Sequence, residues 1–231
     1  MSYLFHTYIY NPIFWLLNVI YQNASFHDLG IAIILLTVIV RVVLLPIFYK
    51  GAKDQTTIQK IQPHVKKIQL DHKDDKERQA KELMELYKKH SVNPFSSILF
   101  LAIQIPIFIA LFRIFTNGVN SSAFGNHIFL GFIDLGAKSL ILALIAAFLQ
   151  YLQLKMMVPA NLGAGGAAAA NQKIMMYAGP AITLLVMFNL PSAIGLYWSV
   201  SNLFSIGQQF YINKKIKISP DKSISSPNPT I

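Results

Sequence analysis

LGIAIILLTVIVRVVLLPIFY, residues 29–49, is apolar apart from Thr37 and Arg41. A helix of that length reaches across the ~30 Å hydrocarbon core of a bilayer. Further apolar runs cover about 94–116, 137–157, 174–189 and 191–212. The pattern predicts an all-α integral membrane protein with five spanning helices. Composition agrees: 54% of residues are hydrophobic and 13% charged, against roughly 25% charged in soluble domains. The absence of cysteine excludes disulfides, thiolate metal sites and cysteine lipidation.

Lys and Arg set the orientation. Residues 50–89 hold eleven of them, and the tail holds Lys214, Lys215, Lys217 and Lys222. Lys155 and Lys173 flank a low-complexity linker, 158–171, that contains GAGGAAAA. The N-terminus and the loop 117–136 hold none. The positive-inside rule then puts the N-terminus outside and the C-terminus in the cytoplasm. The formal charge of +10 thus reflects topology, without any nucleic-acid specificity.

Three regions follow. Residues 1–28 carry no Lys or Arg but many aromatics, and Asn11-Pro12 looks like a helix start. Ile13, Leu16, Leu17 and Ile20 fall on one face, which predicts an amphipathic helix lying in the outer interface. Residues 29–212 form the five-span core. Residues 213–231 form a basic, disordered tail. Within the core, 53–92 reads as a cytoplasmic helical hairpin. Ile58, Ile61, Val65 and Ile68 make one stripe, and Ala80, Leu83, Met84 and Tyr87 make another. Pro63 sits inside the first of these helices.

Arg41 lies about eight residues, or ~12 Å, from the inner end of its span. An arginine at mid-membrane costs ~2.5–3.5 kcal/mol on insertion scales. No span contains a carboxylate to offset that cost: Asp28 and Asp134 sit at the outer boundary, and the other eight acids lie in cytoplasmic segments. The sequence therefore predicts a water-filled cavity open to the cytoplasm. Thr37, one turn away, lies on the same face. Gln104, Gln150, Gln153, Ser201 and Asn202 are further span residues able to line it. A snorkelling, hydrogen-bonded arginine is the bland alternative. No nucleotide motif, metal-ligand spacing or nucleophile–base pair is present, so neither a cofactor nor an enzymatic activity is expected.

Ordered motifs then resemble the YidC/Oxa1/Alb3 family of membrane protein insertases. They are GIAIILLTVIVRVVLLPI (30–47), IQPHVKKIQ (61–69), LYKKHSVNP (86–94), IQIPIFIALF (103–112), FIDLG (132–136), QKIMMYAGP (172–180) and PSAIGLYWSVSN (191–202), with Gln208-Gln209 after them. The resemblance implies five helices around a hydrophilic groove open to the cytoplasm and to lipid. The family's groove arginine and hydroxyl fall on Arg41 and Thr37. Its groove glutamines fall on Gln104 and Gln150, and its last-span aromatic pair on Tyr197 and Trp198. It further implies ATP-independent insertion and folding of client membrane proteins in a bacterial plasma membrane. The implied partners are nascent clients and lipid, with the Sec translocon, ribosome or targeting factors meeting 53–92 and the tail. Ala193 and Ile194 depart from the family's usual P-x-G-L without shifting the aromatic pair. A small-solute transporter is the rival class, but it predicts an inverted repeat that these five unlike spans lack.

Overall fold

Asp28 opens the first long apolar helix. Its Oδ1 accepts from Gly30 N at 2.7 Å and Ile31 N at 3.1 Å, satisfying two of the four donors a helix start leaves free. The computed structural model describes residues 3–118, 124, 125, 127–157 and 167–218. The elements are α1 (Tyr3–Phe5), α2 (Asn11–Asn23), α3 (Leu29–Val43), α4 (Leu45–Lys60), α5 (Gln62–Asp71), α6 (Lys76–Lys89), α7 (Ser96–Arg113), β1 (Ile128–Phe129), β2 (Ile133–Asp134), α8 (Leu140–Met157), α9 (Ala167–Phe188) and α10 (Ser192–Ile218). Two π-helical turns, His6–Tyr10 and Ile114–Gly118, precede α2 and follow α7.

The deciding stretch is not one straight rod. α3 stops at Val43, and α4 leaves it at 69°. Proline accounts for the position: the Pro46 ring clashes with a carbonyl four residues back and supplies no N–H. Within the first turn of a new helix neither defect matters, so the chain breaks at Leu44 and Pro46 starts α4. α4 then continues past Tyr49, the expected end of the span, to Lys60. The same rule moves the next boundary. Pro63 opens α5 instead of sitting inside a helix, so Ile58 and Val65 lie on different helices.

Among the described residues no single helix is both long and apolar enough to cross a membrane; the bent pair α3–α4 passes that test together. The shortfall has a source in composition. α8 carries Gln150, Gln153 and Lys155, and α10 carries serines, Asn202, Gln208 and Gln209. Several of these point inward: Ser199, Ser201, Asn202 and Gln209 are buried. Ile141, Leu144, Ile145 and Phe148 of α8, with Ile182 and Leu185 of α9, are exposed instead. Buried polar groups in α10 beside aliphatic residues left exposed on α8 and α9 depart from the pattern of a soluble bundle.

α10 is the central helix, packed on α8, α3, α4 and α9, while α7 packs on α4 and α2 on α3. Gly195 permits the closest approach: an added Cβ would lie 3.4 Å from Leu142 Cβ. The stripe of α2 faces protein. Leu17 and Ile20 join Leu29, Ile33 and Leu36 in the core, and Ile13 and Leu16 pack against it. α2 begins at Asn11-Pro12 as expected, and a π-helical turn continues the helical backbone upstream of it.

The segment 117–136 contains a small antiparallel hairpin that periodicity had not signalled. Ile128 pairs with Asp134 and Phe129 with Ile133. α5 and α6 are joined by a short turn. There Gln79 Nε2 donates to Gln69 O at 2.9 Å, and His72 Nε2 lies 2.9 Å from Glu82 Oε2. Val65 is buried and Leu83 and Tyr87 are half-buried, whereas Ala80 and Met84 of the same stripe are exposed. α9 begins at Ala167, so the last alanines of the expected linker are helical, as their propensity favours. α10 likewise runs to Ile218, into the expected tail. The rest of the linker (158–166) and of the tail (219–231) lies outside the described residues.

Candidate functional site

Thr37 and Arg41 sit one turn apart on the inner face of α3, and both are buried. The Thr37 hydroxyl donates to Ile33 O at 2.6 Å, which leaves its lone pairs as acceptors. Arg41 is only 6% exposed. Among the described residues no carboxylate forms an ion pair with it. Its guanidinium carbon lies 4.9 Å from the centre of the Phe48 ring, a cation–π distance. Phe48 stands seven residues on, so it shares the face of Arg41 beyond the bend at Leu44.

Tyr197 of α10 closes the other side. Its hydroxyl is close enough to Arg41 to interact electrostatically, and it accepts from Gln104 Nε2 at 2.6 Å. Around Arg41 of α3 thus stand Phe48 of α4 and Tyr197 of α10, with Gln104 of α7 bonded to Tyr197 behind it. An electron-rich ring and a phenol oxygen stabilise the guanidinium without neutralising it, so the full positive charge remains.

Trp198, the next residue, turns about 100° around the helix and meets different partners. Its Nε1 donates to Gln150 Oε1 at 3.1 Å. Thr183 of α9 donates to the same oxygen through a short hydrogen bond. The Trp198 ring packs edge-on against Phe108 at 5.7 Å. Phe108 is one turn from Gln104, so one face of α7 serves both members of the aromatic pair. All six residues singled out from sequence therefore border two adjoining polar clusters, one around Arg41 and one around Gln150.

Of the other polar candidates, Ser201 is buried one turn beyond Tyr197, and Asn202 is buried on α10. Asn202 Nδ2 donates to Ala146 O at 3.3 Å, pinning α10 to α8. Gln209 Nε2 donates to Thr56 Oγ1 and to Asn213 Oδ1, both at 2.9 Å. Asp54, expected in a cytoplasmic segment, is buried in α4 and accepts from Ser96 Oγ at 2.6 Å. Sequence reasoning missed Phe48, Thr183 and Asp54. Only their partners give them meaning, and those lie on other helices or beyond a break in the chain.

Comparison with known proteins adds a separate line. The family described as 60Kd inner membrane protein matches residues 20–220. A Wolinella succinogenes protein named membrane protein insertase YidC is 31% identical over 99% of this chain and 41% of its own length. A Fusobacterium nucleatum protein of that name is 30% identical over 90% of this chain and 98% of its own length. One from Clostridium tetani is 34% identical over 81% and 83%. The chain thus spans well under half of the Wolinella relative and nearly all of the Fusobacterium one.

Proposed function

The chain belongs to the 60Kd inner membrane protein family, and from that membership and the Arg41 cluster we propose that it inserts client membrane proteins into the bilayer. The observation that carries the reading is a buried arginine between the Phe48 ring and the Tyr197–Gln104 pair, with no acid among the described residues to pair with it. A permanent unpaired cation suits a passing acidic segment better than a stored ligand.

In this reading α3–α4, α7, α8, α9 and α10 are the five spans of one core, 29–212. The core surrounds a wet groove lined by Thr37, Arg41, Gln104, Gln150, Tyr197 and Trp198. The first 28 residues lie at the outer leaflet. The lysine-rich α5–α6 pair, the linker and the tail face the cytoplasm, where nascent clients, targeting factors, the ribosome or the Sec translocon meet them. The groove shortens the dry path that a client's polar tail must cross. Arg41 attracts acids in that tail, and a membrane potential positive outside adds ~2.3 kcal/mol per charge per 100 mV. Burial of the client's ~20 apolar residues supplies the driving force at roughly 25 cal/mol per Å², so no ATP is required.

Proteoliposomes containing only this chain test the proposal. A single-span client added from outside should become protected from protease across its polar tail. Protection no greater than in empty liposomes would refute the reading, and solute flux without any client would favour the transporter class.

A further inference from the structure

Two turns at one end of the molecule hold their backbones in a conformation that L residues rarely adopt. Phe26 and His27 have φ of 53° and 61°, and Leu130 has φ of 52° beside Gly131 at 82°. Non-glycine residues avoid this region unless the surrounding structure holds them there. In each case a large apolar side chain is thrust outward: Phe26 is 92% exposed, Leu130 57% and Phe132 74%.

The two turns are joined by one residue. Asp28 caps α3 through Oδ1, and through Oδ2 it accepts from Leu130 N at 3.0 Å. Side-chain packing braces each turn. The His27 ring meets Tyr21 edge-on at 5.7 Å. Phe129 and Ile133, paired across the hairpin, pack on the core. Phe129 occupies the space beside Gly30 that any side chain there would need. The alternation is strict: Phe129 and Ile133 point in, and Ile128, Leu130 and Phe132 point out.

We propose that Phe26, Leu130 and Phe132 form a preorganised anchor that inserts into the interfacial layer of the bilayer at the outer end of the helices. Two observations favour lipid over a protein partner. The segment 117–136 has no Lys or Arg, and its one charged residue is Asp134, so the patch offers few charges by which a soluble partner is oriented. The chain also runs on from the hairpin into α8, whose Leu140, Ile141, Leu144 and Ile145 are exposed apolar side chains. Aromatic and aliphatic side chains on a fixed turn are suited to the headgroup–acyl boundary. The proposal rests on the membrane-spanning reading above and adds to it a defined immersion depth for this end.

The cysteine-free chain allows a direct test. Phe26→Cys, Leu130→Cys and Phe132→Cys each receive a single nitroxide, in phosphatidylethanolamine–phosphatidylglycerol vesicles. Phe148→Cys on the exposed face of α8 and Glu85→Cys on α6 serve as lipid and water references. The ratio of oxygen to nickel-chelate accessibility should be several-fold above the Glu85 reference at all three turn sites. Nickel access equal to Glu85, with Phe148 still protected, would overturn the anchor and leave the membrane reading intact. Nickel access at Phe148 as well would overturn the membrane reading itself. Protection accompanied by dipolar broadening between labelled copies would overturn the lipid assignment in favour of self-association. Phe132→Trp in a Trp15→Phe, Trp198→Phe background should be quenched by lipids brominated near the headgroup, and no quenching there would overturn the anchor.

Discussion

Arg41→Gln should abolish the preference for acidic client tails, and the size of that preference follows from the site. Two unit charges 4 Å apart interact by ~1 kcal/mol in bulk water and by ~4 kcal/mol at an effective dielectric of 20. Arg41 is almost completely buried against the Phe48 ring and beside Tyr197, so the upper part of that range applies. At 1.4 kcal/mol per decade, an Asp in the translocated tail should speed insertion by roughly 10- to several-hundred-fold over Asn at the same position. The assay compares these two clients in proteoliposomes, with an ionophore present to remove the contribution of the membrane potential. With Arg41→Gln the ratio should fall to about 1, and with Arg41→Glu it should invert. An unchanged Asp-to-Asn ratio in the Gln and Glu variants would show that the charge does not act on the tail, and the electrostatic reasoning would be wrong.

Three further outcomes are expected. Gln150→Leu removes the acceptor shared by Thr183 and Trp198. If water enters the groove, both donors find new partners and the loss is about 1–2 kcal/mol, a few degrees of thermal midpoint in detergent; a loss above ~5 kcal/mol would mean a dry site. Gly30→Ala should destabilise by ~1–3 kcal/mol, because its methyl collides with the Phe129 ring. Phe129→Leu should restore part of that loss, and strict additivity of the two changes in a denaturation cycle would contradict the contact. Asp28→Ala should cost ~1–2 kcal/mol as a lost helix cap and also raise amide exchange at Leu130, whereas exchange unchanged there would show that the hairpin is held without it.

Apolar runs and lysine counts carried the helical class, because both signals are local and one-dimensional. Gln104 was legible for a similar reason, since a glutamine in an apolar helix stands out wherever it points, whereas Tyr197 came only with the family resemblance. Pro46 marked where the first span would bend, but hydropathy could not show that α4 runs on to Lys60. The polar residues after Tyr49 form helix as readily as apolar ones. The hairpin at 128–134 was invisible since two-residue strands leave no period to detect. Phe48 was missed most completely. It sits among aliphatic residues in a run where an aromatic is unremarkable, and its place over the guanidinium lies beyond the 69° turn.

That turn also has a mechanical side. Arg41 and Phe48 belong to two separate rods hinged at Leu44. Phe48 stands four residues beyond the hinge, a lever arm of ~6 Å, so a 10° swing of α4 displaces the ring by ~1 Å. The far part of α4 is tethered twice, to α7 through Asp54 and Ser96 and to α10 through Thr56 and Gln209. Any load on those tethers, as from a polypeptide docking on the α5–α6 pair just beyond, is transmitted to the aromatic cover on the cation. Geometry thus couples the two: a swing of α4 about Leu44 would shift the aromatic cover on the cation.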